Sequence, residues 1–278
     1  MTAPGAALVV LALLAGCDGA APPPRAAGAA RVVVLAPSAT ETVFALGAGD
    51  RVVGVCAQCD YPAATAKLPK LGGYLTPSVE AVVGVRPDLV IVVPSPGNRE
   101  AVRAIERAGV RVLVVQDRTL DDLFTSIAAI AGALEVSDAG GRLAADLRSR
   151  LDAVRARVAS QPRARVLLVV GHSPLIVAGG GTLQGELVEI AGGTNVAADV
   201  GNAFPQVSLE LVVARAPDVI LDAAMGTEEG GRALFAQLTT VPAVANGRIV
   251  SVGSDVLFRA GPRVPEAAAA LAAAIHPG

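Results

Sequence analysis

The 278-residue chain has no tryptophan, two histidines, three cysteines and only 3% aromatic residues. Each shortage excludes something. His172 and His276 are too few for a histidine-rich zinc or manganese site, and a Ser/His/Asp triad is hard to assemble around either. His276 lies in the tail, where solvation is expected. His172 ends an apolar run, where a cleft role and a surface role weigh equally. Net charge is −2 with no basic run, so nucleic acid is not an expected partner. Nucleotide and hydrolase fingerprints are incomplete. Gly47-Ala48-Gly49 lacks the third glycine of a dinucleotide loop, and Gly171-His172-Ser173-Pro174-Leu175 lacks the closing glycine of a nucleophile elbow. Gly179-Gly180-Gly181 has no Lys-Ser/Thr after it and reads as a flexible turn. No catalytic residue, metal or cofactor is expected.

The longest apolar stretch at the N-terminus, Leu8 to Ala15, is too short for a stable membrane span and fits the core of a signal peptide. It ends in Leu14-Ala15-Gly16-Cys17, which resembles the lipobox of bacterial lipoproteins, with Cys17 as the lipidated residue. Residues 1–17 are therefore read as a lipoprotein signal and 18–30, rich in Ala and Pro, as a flexible tether. The expected location is the cell envelope, on the periplasmic face, held to the membrane by lipid. Cys56 and Cys59 remain as one C-x-x-C pair. In an exported chain that pair is read as a small disulfide, structural or beside a ligand.

From Arg31 on, continuous apolar runs alternate with helical patterns. Val32 to Leu35, Val52 to Val55, Leu89 to Val93 and Val112 to Val115 read as buried parallel strands. Helices are expected after Pro37-Ser38, over 98–108 and over 120–134. Ligands in such sheets sit at the carboxyl ends of strands, here the loops at Pro37 to Thr40, Cys59 to Tyr61, Gly73-Tyr74 and Pro94-Ser95. A second set begins at Val166 to Val170, with a helix over 184–191, a strand at Ile249 to Val252 and a closing helix over 266–275.

Two features organise the whole. Leu143, Leu147, Leu151, Val154 and Val158 lay one apolar stripe along a helix over 137–161, about 36 Å long, with Ser137 or Asp138 as its cap and Pro162 as its stop. On either side lies the same unit. Ser78-Val79-Glu80 and Pro87-Asp88 recur as Ser208-Leu209-Glu210 and Pro217-Asp218 at a constant offset of 130. The fold class is α/β: two Rossmann-like lobes (31–136 and 162–278) with parallel central sheets, joined by one long backbone helix.

The motifs carry a family resemblance across nearly the whole mature chain. Leu35 to Glu41, Ala45 to Val55, Cys59-Asp60-Tyr61-Pro62, Leu71-Gly72-Gly73, Ala191 to Val196 and Pro205 to Ser208 resemble the helical-backbone (class III) periplasmic binding proteins of ABC importers, above all the cobalamin-binding ones. The resemblance implies a ligand held between two lobes and one exposed glutamate per lobe, Glu80 and Glu210, docking onto a permease dimer. It implies a monomer carrying a corrinoid. Ligand contacts would be Pro37, Ser38, Gln58, Tyr74, Ser173, Phe204, Asp255 and Arg259. Tyr74 and Phe204 stand where those relatives have tryptophan, so the stacking surface is thinned. Two other cargoes suit the same fold: a ferric siderophore, met by Arg259, Arg263 or Arg99, and haem, met by Tyr61, Tyr74 or His172. A two-lobed tetrapyrrole chelatase is the enzymatic alternative, and the export signal and scarce histidines count against it.

Overall fold

The structure, a computed structural model, describes residues 29–224 and 228–277. Cys17 lies outside them. The first lobe runs β1 (Val32–Val34), α1 (Pro37–Ala45), β2 (Val52–Val55), α2 (Val79–Gly84), β3 (Leu89–Val92), α3 (Arg99–Arg107), β4 (Arg111–Val114) and α4 (Leu120–Ala133). Its four strands form one parallel sheet in the order β2-β1-β3-β4. Alternate residues of these strands enter two cores. Val32, Val34, Leu89 and Ile91 pack on one face, Val33, Leu35, Val90 and Val92 on the other. Burial on both faces explains the unbroken apolar runs.

After α5 (Ser137–Val158) the second lobe contains β5 (Ala164–His172), β6 (Leu175–Val177), α6 (Leu183–Ile190), β7 (Gly193–Asn195), α7 (Leu209–Arg215) and β8 (Val219–Asp222). It closes with α8 (Glu228–Phe235), α9 (Pro242–Ala245), β9 (Ile249–Ser251), α10 (Ser254–Leu257) and α11 (Val264–Ile275). Here β5, β7, β8 and β9 are parallel, but β6 folds back antiparallel on the end of β5 across Ser173-Pro174. Sequence periodicity cannot show a three-residue strand of this kind.

The offset of 130 becomes a structural equivalence: α2 and α7 begin at 79 and 209, β3 and β8 at 89 and 219. Each Asp of the Pro-Asp pair holds the start of its lobe's first strand. Asp88 accepts from the Arg31 N–H at 3.0 Å and Asp218 from the Arg165 N–H at 2.9 Å.

The linking helix spans Ser137–Val158, and Val136, not Ser137 or Asp138, is the residue before its first turn. No side chain caps it. Of the two glycines near its start, Gly140 is a packing position: a Cβ there would lie 2.6 Å from the Ala131 Cβ of α4. Leu147, Leu151, Val154 and Val158 are buried in the second lobe's core, and Leu143 packs against the cores of both lobes. The bridge is also wider than one helix. From α4, Leu123 and Ile127 enter the second lobe's core while Ile130 and Ala131 enter the first.

Two glycine and histidine readings change. Gly179 and Gly180 are packing positions rather than a flexible turn, since a Cβ on Gly180 would meet the Ala198 carbonyl oxygen at 2.2 Å. His276 is not solvated at its tip. Its Nε2 is buried without a hydrogen-bond partner among the described residues, against Gly192.

Candidate functional site

The carboxyl end of β1 turns directly into α1, with Pro37 at the first helical position, where its missing N–H costs nothing. This places polar side chains at the junction of the lobes. Ser38 is buried and its hydroxyl donates to Asp117 Oδ2 at 3.3 Å. Glu41, one turn on, is buried, its carboxylate 1% exposed, and lies opposite Arg263 of the second lobe, whose Nε donates to Glu41 Oε2 at 2.9 Å. A buried carboxylate without such a partner would be prohibitively desolvated. Hydrogen bonding to Glu41 raises the Arg263 guanidinium further above its ordinary range.

The loop after β2 adds a second crossing. Cys56 and Cys59 are joined by a disulfide and fully buried, which fixes the loop bearing Gln58, Asp60 and Tyr61. Arg259 Nη1 donates to Asp60 Oδ1 at 2.6 Å, and Nη2 lies 2.6 Å from Asp255 Oδ1, four residues earlier. The hydrogen bond from Arg259 holds the Asp60 carboxyl below the usual carboxylate range. Asp60 and Asp255 stay open to solvent, 66% and 59% exposed, so this outer half of the network is screened while the Glu41 half is not. The Arg263 guanidinium also lies 4.1 Å from the centre of the Tyr61 ring.

Gln58 and Tyr74 meet in the first lobe, where Gln58 Oε1 accepts from the Tyr74 N–H at 2.9 Å. The Tyr74 ring is half-buried. Its phenol is pushed up first by burial and then by the charge of Asp117. Asp117, past the end of β4, is itself raised by burial, with Asp122 adding to the effect and the Ser38 bond opposing it. In the second lobe Ser173 is exposed on the β5–β6 turn and its hydroxyl makes no hydrogen bond among the described residues. Phe204 is exposed on the loop after β7.

The residues named from the sequence therefore fall into three groups. Asp255 and Arg259 join the network that crosses between lobes, Pro37, Ser38, Gln58 and Tyr74 line the first lobe, and Ser173 and Phe204 lie on the second. Tyr61, Leu75, Phe204 and Phe258 expose apolar side chains from loops and short turns of both lobes. The arrangement is open: surface hollows of about 320, 580 and 500 Å³ are lined by other residues. His172 pairs with Asp222, its Nε2 2.9 Å from Oδ1.

Glu41 and Asp117 join the candidate site without having been singled out as contacts from the sequence, and Asp60 and Arg263, seen there only as a loop residue and a possible siderophore contact, are placed in its polar network. Asp117 had a usable signal, since the loop after the fourth strand is also a carboxyl-end loop. Arg263 had another, lying four residues beyond Arg259. Among the described residues no three His, Cys, Asp or Glu side chains group as a metal site.

The profile of the family described as periplasmic binding protein matches residues 32–256. A vitamin B12-binding protein of Vibrio parahaemolyticus is 30% identical over 234 residues, 84% of each chain. The periplasmic haem-binding protein RhuT of Roseiflexus sp. RS-1 superimposes with a TM-score of 0.78 at 34% identity, over 89% of this chain and 98% of its own. The vitamin B12-binding protein BtuF of Vibrio cholerae gives 0.78 at 29% identity, over 89% and 97%. The chain belongs to the periplasmic binding protein family, whose members are transport proteins of the periplasm and not enzymes.

Proposed function

We propose that this protein is anchored to the membrane by lipid on Cys17, captures a corrinoid between its lobes and delivers it to an ABC importer permease through Glu80 and Glu210. The observation that carries the ligand is the pairing of exposed apolar side chains from both lobes, Tyr61, Leu75, Phe204 and Phe258, with the polar Asp255–Arg259 pair. A flat ring with an amide fringe needs both surfaces. The vitamin B12-binding relatives support the same cargo. Glu80 and Glu210 are exposed in the first turns of α2 and α7, at equivalent positions of the repeat. Two equivalent anchors suit a partner with two-fold symmetry.

The test is calorimetric titration of the full chain, in mild detergent, with cyanocobalamin and dicyanocobinamide. Saturable one-to-one binding is expected. Heat of dilution alone with both would overturn the corrinoid reading. Haem is the second reading, favoured by the likeness to RhuT and by the half-buried Tyr74, whose phenol oxygen would serve as the iron ligand. Haem titration followed by its absorption spectrum separates the two.

A further inference from the structure

We propose that Asp117 is a specificity residue that accepts N–H groups from the rim of the bound tetrapyrrole, selecting an amide-fringed ring over a carboxylate-fringed one. The inference rests on the ligand site proposed above and names the chemistry that site reads.

Asp117 holds a carboxylate with room for about four hydrogen bonds. Its side chain receives one, the long contact from Ser38 Oγ at 3.3 Å, and among the described residues no Lys or Arg pairs with it. Its place is the floor between the lobes. The carbonyl of the next residue, Arg118, accepts from the Leu183 N–H of the second lobe, and the charge of Asp117 is felt by the Tyr74 phenol. An acceptor so placed, half-buried and with Ser38 as its one side-chain donor among the described residues, has room for a donor on the ligand.

The rest of the site strengthens the preference. Arg259 and Arg263 are the cations in the polar network, and both are already engaged by Glu41, Asp60 and Asp255. With Asp117, four carboxylates face two guanidiniums, leaving an excess of two negative charges. A ring carrying propionates or free acids would bring like charge to this surface, where both guanidiniums of the network are already paired. A ring carrying amides brings donors and no charge. Discrimination of this kind comes from repulsion of the wrong ligand as much as from contact with the right one.

The experiment titrates the full chain, in mild detergent, with two corrinoids of one skeleton: dicyanocobyrinic acid and its heptaamide. The heptaamide should bind tighter by tenfold or more, on the order of one unit of log Kd. In the Asp117→Asn variant, which keeps the shape and removes the charge, the gap should narrow. A purely structural role for Asp117 would change both affinities together and leave their ratio alone. Equal binding of the two by the wild type, or a ratio that Asp117→Asn does not move, would overturn the inference while leaving corrinoid capture intact. If neither corrinoid binds, the ligand reading falls, and the charge rule is read with haem against its dimethyl ester. Tighter binding of the ester, narrowed by Asp117→Asn, would uphold it; tighter binding of haem, or no binding of either, would overturn it.

Discussion

Arg86 and Ala216, 130 positions apart, both hold the backbone at positive φ, 47° and 41°. Each ends the exposed helix of its lobe, and each offers its carbonyl to an arginine at the start of that lobe's first strand. Arg31 Nε donates to Arg86 O at 3.1 Å and Arg165 Nε to Ala216 O at 3.3 Å. The two helices bearing Glu80 and Glu210 are thus tied to their sheets by the same brace.

Left-handed backbone penalises a side chain, and glycine is the residue that avoids the penalty. Ala216→Gly should therefore stabilise the protein by about 0.5 kcal/mol, the gain being reduced by the freer unfolded chain. Urea denaturation monitored by circular dichroism reads the shift.

Glu80 and Glu210 are both exposed and take no part in the polar network between the lobes. Glu80→Ala combined with Glu210→Ala should leave ligand affinity unchanged and abolish most uptake in cells that depend on this protein. Normal uptake by the double variant would remove the docking role.

Glu41 has the opposite character. Its carboxylate is buried between two guanidiniums, so Glu41→Ala leaves two largely buried positive charges with only the exposed carboxylates of Asp60 and Asp255 beside them. A loss of about 3 kcal/mol is expected, as for broken buried pairs. Asp255→Ala, at an exposed partner, should cost less than about 1 kcal/mol. Comparable losses in urea for both variants would contradict this division of the network.

Gly140 and Gly141 are adjacent in α5 yet should respond with opposite signs. Helix propensity favours Ala over Gly by about 1 kcal/mol. At Gly141 nothing lies within 4 Å of a Cβ, so Gly141→Ala should realise most of that gain. At Gly140 the new methyl meets Ala131 at 2.6 Å, and overpacking of about 1–3 kcal/mol outweighs it. Thermal denaturation of the two single variants tests the sign of each.

Two aspartates should titrate on opposite sides of the ordinary value of 3.8. Asp60, stabilised as the anion by the Arg259 hydrogen bond, titrates below it. The stability it contributes is present above 3.8 and is lost as pH falls through its lowered folded pKa. Asp117 titrates above it, because burial disfavours the anion. Its ionisation opposes folding at neutral pH, and that opposition is relieved as pH falls through its raised pKa. Carboxyl carbon shifts followed by NMR against pH would resolve both, and a reversed order would contradict the assignment.

The architecture was legible because it is written in local pattern. Runs such as Leu89 to Val92 are apolar on both faces, and the Pro-Asp signal repeats because each Asp performs the same strand-start hydrogen bond. The site was only half legible. Tyr74, Asp255 and Arg259 came from resemblance to relatives, whereas Glu41 and Arg263 are 222 residues apart in sequence and meet only in the fold. No periodicity reports such a pair. The same holds for β6, whose three residues become a strand only because the end of β5 and Gln206 lie beside them.

Leu143, Leu123 and Ile127 give the junction of the lobes a cost of opening. Parting the halves widely would bring these three aliphatic side chains toward water at about 2 kcal/mol each. A splayed form would then hold about one molecule in twenty-five thousand. The two faces of the junction therefore keep one separation, whatever stands between them.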